Sequence, residues 1–576
     1  MNFSLLAQAF EAIEYASGRL DKMKTLGGLF QQATAAELKI ICYISQGKLF
    51  PAYQTEQFQI SNKGIVSILV DFLLVPEAQM QEWYRDRGDL GLVVQDHWQA
   101  EGLLSIEEVY EQLLQIARIE GTGSVQKKQQ YVVELLKKLD AVSAKYVIRI
   151  ITQTMRLGCS DMTVLDALSW MYAGDKSIRQ DLEVAYNVCA DLGLVGYTLK
   201  NDGLEVIQKM QTHLGIPIRP AAAERLSSAH EVIEKLGPCV AQPKLDGFRI
   251  QIHVDKRDAD HPKVFFYSRN MLQMSDMFPD LKEAVLRLPV ETCIAEGEAM
   301  AYDDEADMFL SFQETVKRKR KHNVEFFQDK LPLRLYIFDL LFLNGESYLD
   351  KTHAERRKKL TEIVPVKDSH LFIIEERSFV EGESLNQYFI DNLTSGLEGL
   401  VVKRPDAIYQ SGKRNFTWIK LKHQGGTKIH DTIDTVILGY FYGKGKRAKL
   451  GIGAFLVGIY NESENIFQSL AKVGTGLTDE EWKDLKIRCD ELAVLSPMNN
   501  VEVHKNLFPE VWVLPELTCS VRADEITLSP VHTACRADGG LGYALRFPRF
   551  VGYRPDKGAY DITTCTEIVS LFQSQS

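Results

Sequence analysis

The sequence predicts a multidomain chain with an all-α domain, an α+β domain and a β-barrel domain, in that order. Three observations support this prediction. Apolar residues recur at helical spacing in the first part, strands and helices alternate irregularly in the middle, and Gly-rich turns separate short strand-like runs in the last part. The boundaries that follow are 1–215, 216–426 and 427–576.

The first region is predicted to be helical because capping signals precede amphipathic runs. Ser105 and Glu108 have the form of a capping box. Another helix is predicted from about Ser143 to a stop at Gly158, and Ser160 is placed to cap the next one. No aromatic-basic repeat marks an element that would read bases. If a helical module of this kind binds duplex phosphates through its helix N-termini, it binds without base specificity; the alternative is a domain that contacts only other proteins.

The segment Lys244–Arg249 is the most informative part of the middle region. It opens a run, Phe248–Val254, that alternates apolar and polar residues as a half-buried strand does. A lysine before an Asp-Gly turn at the start of a strand is held in place, with Arg249 five residues on to hold phosphate. Lysine becomes a good nucleophile when neighbouring cations or desolvation keep it neutral. The alternative is a surface lysine beside an ordinary turn.

Further motifs follow this segment in a fixed order. They are Tyr267–Asn270, Glu296–Glu298, Tyr336–Leu340, Glu398–Lys403 and Trp418–Lys422. Together with Lys244–Arg249, this set resembles the nucleotidyltransferase motifs of ATP-dependent DNA ligases and mRNA capping enzymes.

The resemblance extends beyond the middle region. Ala144–Ile151, Thr163–Leu168, Ile218–Pro220 and Phe547–Phe550 look like segments of archaeal and eukaryotic replicative DNA ligases. The similarity implies a helical DNA-binding domain, an adenylation domain and an OB-fold domain, the last also suiting the strand-like runs Thr435–Tyr440, Ala454–Tyr460 and Val511–Leu514. It implies an enzyme that uses ATP to seal nicked double-stranded DNA in replication, repair and recombination.

The chemistry implied by the resemblance gives each motif residue a role. Lys244 would take AMP from ATP and pass it to the 5′-phosphate of a nick. Lys420 and Lys422 lie on one face of a predicted strand, as two cations on one phosphate require. Glu398, with Glu298, would hold Mg²⁺, for which Mn²⁺ could substitute.

The remaining expected nucleotide contacts also come from the resemblance. Arg249 and Glu298 would contact the ribose and phosphate region, Arg269 the nucleotide and the nick phosphate, and Arg414 the bound nucleotide. Phe338 would stack on adenine, although its strand also suits a core residue. Near the C-terminus, Arg554 and Lys557 would reach the β- and γ-phosphates when the OB domain closes. Gly552 departs from the pattern, because related chains often place a basic residue there.

Gln242 is a second departure, because close relatives usually carry glutamate two residues before the nucleophile. A carboxylate only accepts hydrogen bonds and therefore suits the adenine 6-amino group. An amide both donates and accepts, so it is expected to flip and to pair with adenine or guanine. We therefore expect weaker discrimination against GTP, and we expect Gln242→Glu to raise it while leaving ATP use intact.

Composition adds modest constraints. The net charge is −11, yet the segment Lys403–Lys449 holds a local excess of cations. Lys317–Lys321 is an unbroken basic run. We interpret this run as a loop that faces DNA phosphates, and the alternative is a solvated loop. Nine cysteines without a CxxC pair argue against zinc and suggest a reducing cytoplasm. No apolar run of membrane-spanning length and no signal peptide are read, so a cytoplasmic protein without a membrane partner is expected.

Two alternative functions remain open at this point. An mRNA capping guanylyltransferase shares the lysine motif but would not need the helical region, and a catalytically inactive relative would act only as a nick-binding clamp. The chain is expected to act as a monomer on nicked duplex DNA. Recruitment by a sliding clamp is left undecided by the sequence.

Overall fold

The computed structural model describes residues 1–102, 104–303, 308–310, 312–320, 324–364, 368–394, 397–422, 431–443, 445–536 and 540–575. Lys321, at the end of the basic run, and the predicted boundary at residue 426 lie outside these residues. The chain separates into two compact units. The first contains residues 1–68 and 98–424, and the second contains residues 69–97 and 425–576.

The predicted helical region is confirmed, since every helix or strand described before residue 209 is a helix. The capping box of Ser105 and Glu108 forms at the start of α7, and apolar residues on that helix are buried. The helices are α1 Phe3–Tyr15, α2 Arg19–Gln32, α3 Ala35–Ile44, α4 Asn62–Leu73, α5 Glu77–Arg87, α6 Leu90–His97, α7 Ile106–Arg118, α8 Ser124–Leu136, α9 Ala141–Ile151, α10 Asp161–Ala173, α11 Arg179–Val188, α12 Leu192–Asp202 and α13 Leu204–Gln208.

The predicted end of the helix near Ser143 is wrong. Asp140 caps α9 by accepting hydrogen bonds from two backbone amides, and the helix ends at Ile151. The backbone leaves the helical region at Gln153, whose φ is 54°, so Gly158 lies in the following loop. Ser160 is the N-cap residue of α10, as predicted.

The middle region is built on two sheets. A five-stranded sheet has the order β1-β12-β11-β2-β10, and a seven-stranded sheet has the path β4-β3-β5-β7-β8, with β6 beside β5 and β9 beside β7. Its elements are β1 Ala222–Leu226, α14 Ala229–Leu236, β2 Cys239–Pro243, β3 Phe248–Asp255, β4 Lys263–Ser268, α15 Pro279–Leu286, β5 Thr292–Asp303, β6 Met308–Phe309, α16 Phe312–Val316, α17 Val324–Lys330, β7 Leu333–Leu343, β8 Glu346–Ser347, α18 His353–Ile363, β9 Leu371–Ile373, β10 Arg377–Phe379, α19 Gly382–Thr394, β11 Gly399–Lys403 and β12 Arg414–Lys422.

Buried apolar side chains from both sheets form a shared cluster. Each sheet has its own buried cluster, and a further cluster contains Leu245, Phe338 and Trp418, which come from the turn after β2, from β7 and from β12. Because β2 belongs to one sheet and β3 to the other, Lys244–Gly247 is the connection between them. The predicted nucleophile therefore lies where the two sheets meet.

The last region is rich in strands, as predicted, and its sheet curls because β13 pairs with β14, β18 and β19. The sulfur atoms of Cys535 and Cys565 lie next to each other, a proximity that their spacing did not suggest. The elements are β13 Ile433–Phe441, β14 Ala454–Asn461, β15 Ile466–Val473, α20 Asp479–Glu491, β16 Ala493–Val494, β17 Val501–Glu502, β18 Val511–Val513, β19 Thr518–Arg522, β20 Glu525–Ser529, β21 Gly542–Arg546, β22 Arg549–Tyr553 and α21 Cys565–Ser574.

Within the described ranges, no single helix has the length and apolar character needed to cross a membrane. The bent pair α4 and α5 passes that test together, by length and composition only.

Candidate active site

A cavity of about 410 Å³ lies in the first unit, and both sheets of the middle region contribute to its wall. Most of the sequence-predicted site residues of this unit line it. They are Gln242, Lys244, Arg249, Arg269, Glu298, Phe338 and Lys420.

Backbone hydrogen bonds fix Lys244 against the Glu398 motif. The Lys244 amide donates to the carbonyl oxygen of Gly399 over 2.8 Å, and the Glu398 amide donates to the carbonyl oxygen of Lys244 over 3.2 Å. Gly247 is required in the turn, because a Cβ there would lie 2.3 Å from the carbonyl oxygen of Ala299. The glycine of the Lys-x-Asp-Gly motif is therefore a steric requirement of the passage from one sheet to the other.

Glu398 is shared by two of the predicted lysines. Its Oε2 forms ion pairs with Lys244 Nζ and, over 2.7 Å, with Lys422 Nζ. A carboxylate stabilises an adjacent ammonium, so this arrangement does not support the expectation that neighbouring cations keep Lys244 neutral. Glu398 would have to leave Nζ before Lys244 attacked a phosphate.

The three carboxyl groups at this end of the cavity differ in their protonation. Burial raises the pKa of Glu398, but Lys244 and Lys422 outweigh it and the net shift is downward. Burial raises the pKa of Glu298 to about 7 against the lowering effect of Lys244 and Arg249. Burial and then Glu398 raise the pKa of Asp246. One carboxylate is thus firmly ionised, while Glu298 changes charge near neutral pH.

Arg249 lies in the cavity wall with its charge already balanced. Its Nε and Nη2 donate to the two carboxylate oxygens of Glu296 over 3.2 and 2.6 Å, and its Nη1 donates to the carbonyl oxygen of Ala221 over 2.8 Å. The guanidinium carbon lies 5.3 Å from the ring centroid of Phe338. Arg249 is therefore held rigidly, and it offers a ligand less free charge than the sequence predicted.

Phe338 is both a core residue and a wall of the cavity, so its two alternative roles are compatible. Its side chain is 9 % exposed, and its ring meets the edge of Trp418 with 6.2 Å between centroids. Lys403 Nζ lies 5.0 Å from the Phe338 ring centroid and 4.2 Å from that of Trp418.

The remaining predicted cations occupy different positions. Lys420 lines the cavity, and among the described residues it pairs with no carboxylate; burial and then Arg414 lower its pKa. Arg269 is exposed at the cavity wall. Arg414 is exposed at the start of β12 and is not among the residues that line the cavity. The structure thus brings Lys420 and Arg269 to the cavity and leaves Arg414 outside it.

Gln242 is almost fully buried, with 2 % of its surface exposed. Its Nε2 donates to Oε2 of Glu376 over 2.6 Å, and His353 Nε2 lies 2.8 Å from the same oxygen. The expectation of a freely flipping amide does not fit this environment, because a carboxylate accepts from Nε2 and repels Oε1.

Sequence reasoning missed several residues of the cavity. Lys403 belongs to the Glu398 motif but was given no role; it is 1 % exposed, and burial lowers its pKa to about 8 although Asp339 raises it. Lys319 lines the cavity with Nζ 4.5 Å from the Phe248 ring centroid. Its neighbour Arg318 is 1 % exposed and forms a two-pronged ion pair with Asp280. The basic run is therefore not a uniform loop facing DNA phosphates.

Arg554 and Lys557 lie in the second unit and share one carboxylate. Arg554 Nη1 donates to both oxygens of Asp434 over 2.9 and 2.8 Å, and Lys557 Nζ donates to Oδ2 over 2.7 Å. A Cβ at Gly552 would meet no atom within 4 Å among the described residues, so the missing basic side chain is not excluded by packing.

Comparison with known proteins agrees with these motifs along most of the chain. Family models described as DNA ligase N terminus, ATP dependent DNA ligase domain and ATP dependent DNA ligase C terminal region match residues 2–169, 220–422 and 448–557. A probable DNA ligase of Dictyoglomus turgidum is 42 % identical over 100 % of this chain and 98 % of that protein. The chain belongs to the ATP-dependent DNA ligase family.

Two further comparisons concern a second relative and a solved structure. A DNA ligase of Nitrosopumilus maritimus is 35 % identical over 100 % of this chain and 98 % of that protein. The solved structure named Pmar-Lig_PreS3 is 16 % identical, with a TM-score of 0.54 over 95 % of this chain and 99 % of that one, and shows the fold alone. The chain is thus an enzyme of a family that seals nicks with ATP as the AMP donor, and the capping and inactive-clamp alternatives are rejected.

Proposed function

We propose that the chain seals nicks in double-stranded DNA through a covalent AMP adduct on Lys244. Nζ would lose a proton and attack the α-phosphorus of ATP, forming an N–P bond while the bond to pyrophosphate breaks. The 5′-phosphate at the nick would then take the AMP and release Nζ. In the last step the 3′-hydroxyl would attack that 5′-phosphate and expel AMP. The position of Lys244 at the junction of two sheets, on the wall of the nucleotide-sized cavity, carries this assignment.

Lys420 is proposed to hold the α-phosphate, because it lines the cavity and pairs with no carboxylate among the described residues. Lys422 would join it when Glu398 turns to another cation. Two ammonium groups beside the phosphate would balance the charge that develops on its oxygens. They would also favour the neutral form of Lys244 once Glu398 has moved away.

Glu398 and Glu298 are proposed to hold Mg²⁺, for which Mn²⁺ could substitute. The donor set fits, because Mg²⁺ typically takes one or two carboxylates together with substrate phosphates. Within the described residues no cluster of three or more metal-ligating side chains occurs, so the remaining ligands would come from ATP and water. The ion would supply positive charge at the α-phosphate. Glu398, when it holds this ion, would no longer pair with Lys244.

The other cavity residues are proposed to bind the nucleoside. Phe338 would stack on adenine, and Gln242 would contact the base edge. Arg249, held by Glu296, would present a fixed edge to the ribose region together with Glu298. Arg269 would contact the nucleotide and the nick phosphate, and Arg414 would reach the bound nucleotide from outside the cavity.

The domain roles are also part of the proposal. Residues 1–215 would bind nicked duplex through its phosphates, residues 216–426 would carry the adenylation chemistry, and residues 427–576 would form an OB-fold domain. Arg554 and Lys557 of that domain would exchange Asp434 for the β- and γ-phosphates of ATP and orient pyrophosphate as the leaving group. The chain would act as a monomer in the cytoplasm.

The test uses ATP labelled at the α-phosphate, followed by a chase with nicked duplex. Wild type and Lys358→Ala, which removes an exposed lysine, should form a labelled protein and transfer the label to DNA. Lys244→Ala should form no adduct and bind nicked duplex within a few-fold of wild type, because DNA affinity comes from many phosphate contacts. A labelled Lys244→Ala protein would sink the assignment.

A further inference from the structure

The amide of Gln242 is anchored by a group that sequence reasoning did not associate with the nucleotide. Glu376 lies 134 residues further along the chain, immediately before β10, and β10 pairs with β2, which carries Gln242. This strand pairing places the Glu376 carboxylate 2.6 Å from Gln242 Nε2. Within the described residues, this is the one hydrogen bond that the Gln242 side chain makes.

The same carboxylate oxygen is held from a second direction. His353, the first residue of α18, is 1 % exposed, and its Nε2 lies 2.8 Å from Glu376 Oε2. Because a carboxylate only accepts, both His353 and Gln242 must donate to it. Oε2 of Glu376 therefore receives two donors, and the side chain of Glu376 has little freedom to rotate.

Glu376 remains an anion in this buried setting. Burial by itself raises its pKa, but the hydrogen bond from His353 and the positive charges of Lys403 and Arg357 lower the pKa to about 2. A flip of the Gln242 amide would set Oε1 against this carboxylate and leave two acceptors facing each other without a proton. The anion thus selects one orientation of the amide.

We propose that Glu376 is a positioning residue that makes Gln242 act as an acceptor toward the base, so that adenine is selected over guanine. One of the two Nε2 hydrogens is donated to Glu376, which fixes the orientation of the amide, and in that orientation Oε1 is the acceptor that Gln242 offers to a ligand in the cavity. Adenine presents a 6-amino donor to it, whereas guanine presents the O6 acceptor. The glutamine thereby acts as an acceptor for the adenine 6-amino group, as a glutamate would. The proposal rests on the adenylylation function proposed above.

This inference reverses one expectation from the sequence. Gln242→Glu was expected to leave ATP use intact, but it would place a second carboxylate at hydrogen-bond distance from Glu376 in a buried site. We now expect that single variant to lose adduct formation. Exchanging the two side chains, in Gln242→Glu with Glu376→Gln, restores one carboxylate and one amide and should recover it.

The experiment measures initial rates of covalent adduct formation with ATP and with GTP, each labelled at the α-phosphate. Glu376→Met removes the acceptor at similar side-chain length, and Glu375→Met, which removes the exposed carboxylate next to it in the chain, is the matched control. Wild type and Glu375→Met should prefer ATP. The ATP-to-GTP rate ratio of Glu376→Met should fall about tenfold or more, because the freed amide then pairs with either base. Thermal unfolding shows whether each variant is folded.

The outcomes separate the two proposals. A folded Glu376→Met protein with the wild-type rate ratio would overturn the role of Glu376. If that variant does not fold, the exchange decides: recovery of ATP adduct formation over Gln242→Glu alone, with ATP still preferred, supports the role, and no recovery overturns it. A wild-type protein that forms no adduct with ATP would instead contradict the proposed function itself.

Discussion

The cavity of the first unit and the Arg554–Lys557 pair of the second unit hold their proposed phosphate-binding cations in different ways. Beside the cavity, one carboxylate, Glu398, is shared by Lys244 and Lys422, while Lys420 is left without a carboxylate partner among the described residues. In the second unit both cations bind Asp434, and Arg554 also pairs with Asp556. Lys420 therefore needs no exchange of partner to bind a phosphate, whereas both cations of the second pair do.

Asp434 is itself fixed more firmly than Glu398. It accepts a hydrogen bond from Ser520 in addition to the two ion pairs, and its side chain is 9 % exposed against 27 % for Glu398. Since a buried anion is costly without partners, drawing Arg554 and Lys557 away from Asp434 has a free-energy cost that their binding to phosphate must offset. The comparison predicts that changes in the cavity affect every chemical step, whereas changes at Arg554 and Lys557 affect the step that uses ATP.

The largest effect is expected for Glu398→Gln. Loss of this carboxylate removes one of the two proposed metal ligands and the ion-pair partner of two lysines, so adduct formation and nick sealing should each fall about 1000-fold or more. Single-turnover rates with labelled ATP and with a pre-adenylylated nick measure the two steps, and the exposed Glu283→Gln is the control. A variant impaired in one step alone would show that Glu398 does not serve the whole cavity.

A smaller and selective effect is expected for Arg554→Ala combined with Lys557→Ala. Adduct formation from ATP should fall about 100-fold, because the charge of the leaving pyrophosphate loses its stabilising cations. Sealing of a pre-adenylylated nick should stay within a few-fold of wild type. Arg522→Ala with Lys483→Ala removes two exposed cations from the same unit as a control. Equal losses in both steps would show that Arg554 and Lys557 do not act only in the step that uses ATP.

The smallest effect concerns stability and comes from Glu298. Its pKa is raised from 4.5 to about 7, so the folded protein binds more protons than the unfolded chain between these values. Stability should therefore fall as pH rises from 5 to 8, and Glu298→Gln should remove about 1–3 kcal/mol of that loss. Urea unfolding of both proteins at several pH values, with a chelator present, measures the free energy of unfolding and its change with pH. Identical pH dependence in both proteins would place the Glu298 carboxyl in a more solvated setting.

Local sequence signals predicted the parts of the fold and site that depend on neighbours in the chain. The capping box at Ser105 and the Gly247 turn are dictated by steric and hydrogen-bonding requirements within a few residues. The roles of Glu376 and Lys403 were missed because their surroundings come from strands distant in sequence. The same limit explains Gln242, whose residue type indicated a flipping amide until its partner was known.

The basic run shows a second limit of prediction from the sequence. The run beginning at Lys317 has uniform charge in the sequence, but Arg318 is buried against Asp280 and Lys319 lies at the cavity. A run of positive charges in the sequence does not indicate which of its residues pair with buried carboxylates. Asp280 lies 38 residues before Arg318, so no short-range pattern indicated the pair.

The central claim is that AMP becomes attached to Lys244, and the cavity contains a rival. Lys403 also lines it, and burial lowers the pKa of Lys403 to about 8, which makes its amine easier to deprotonate than that of an ordinary lysine. Its Nζ, however, lies beneath the Phe338 and Trp418 rings and 3.8 Å from Asp339. Proteolysis of the ATP-treated wild-type protein, followed by mass spectrometry of the peptides, locates the adenylyl group. The account predicts it on Lys244, and its attachment to Lys403 or to any other lysine would contradict the account.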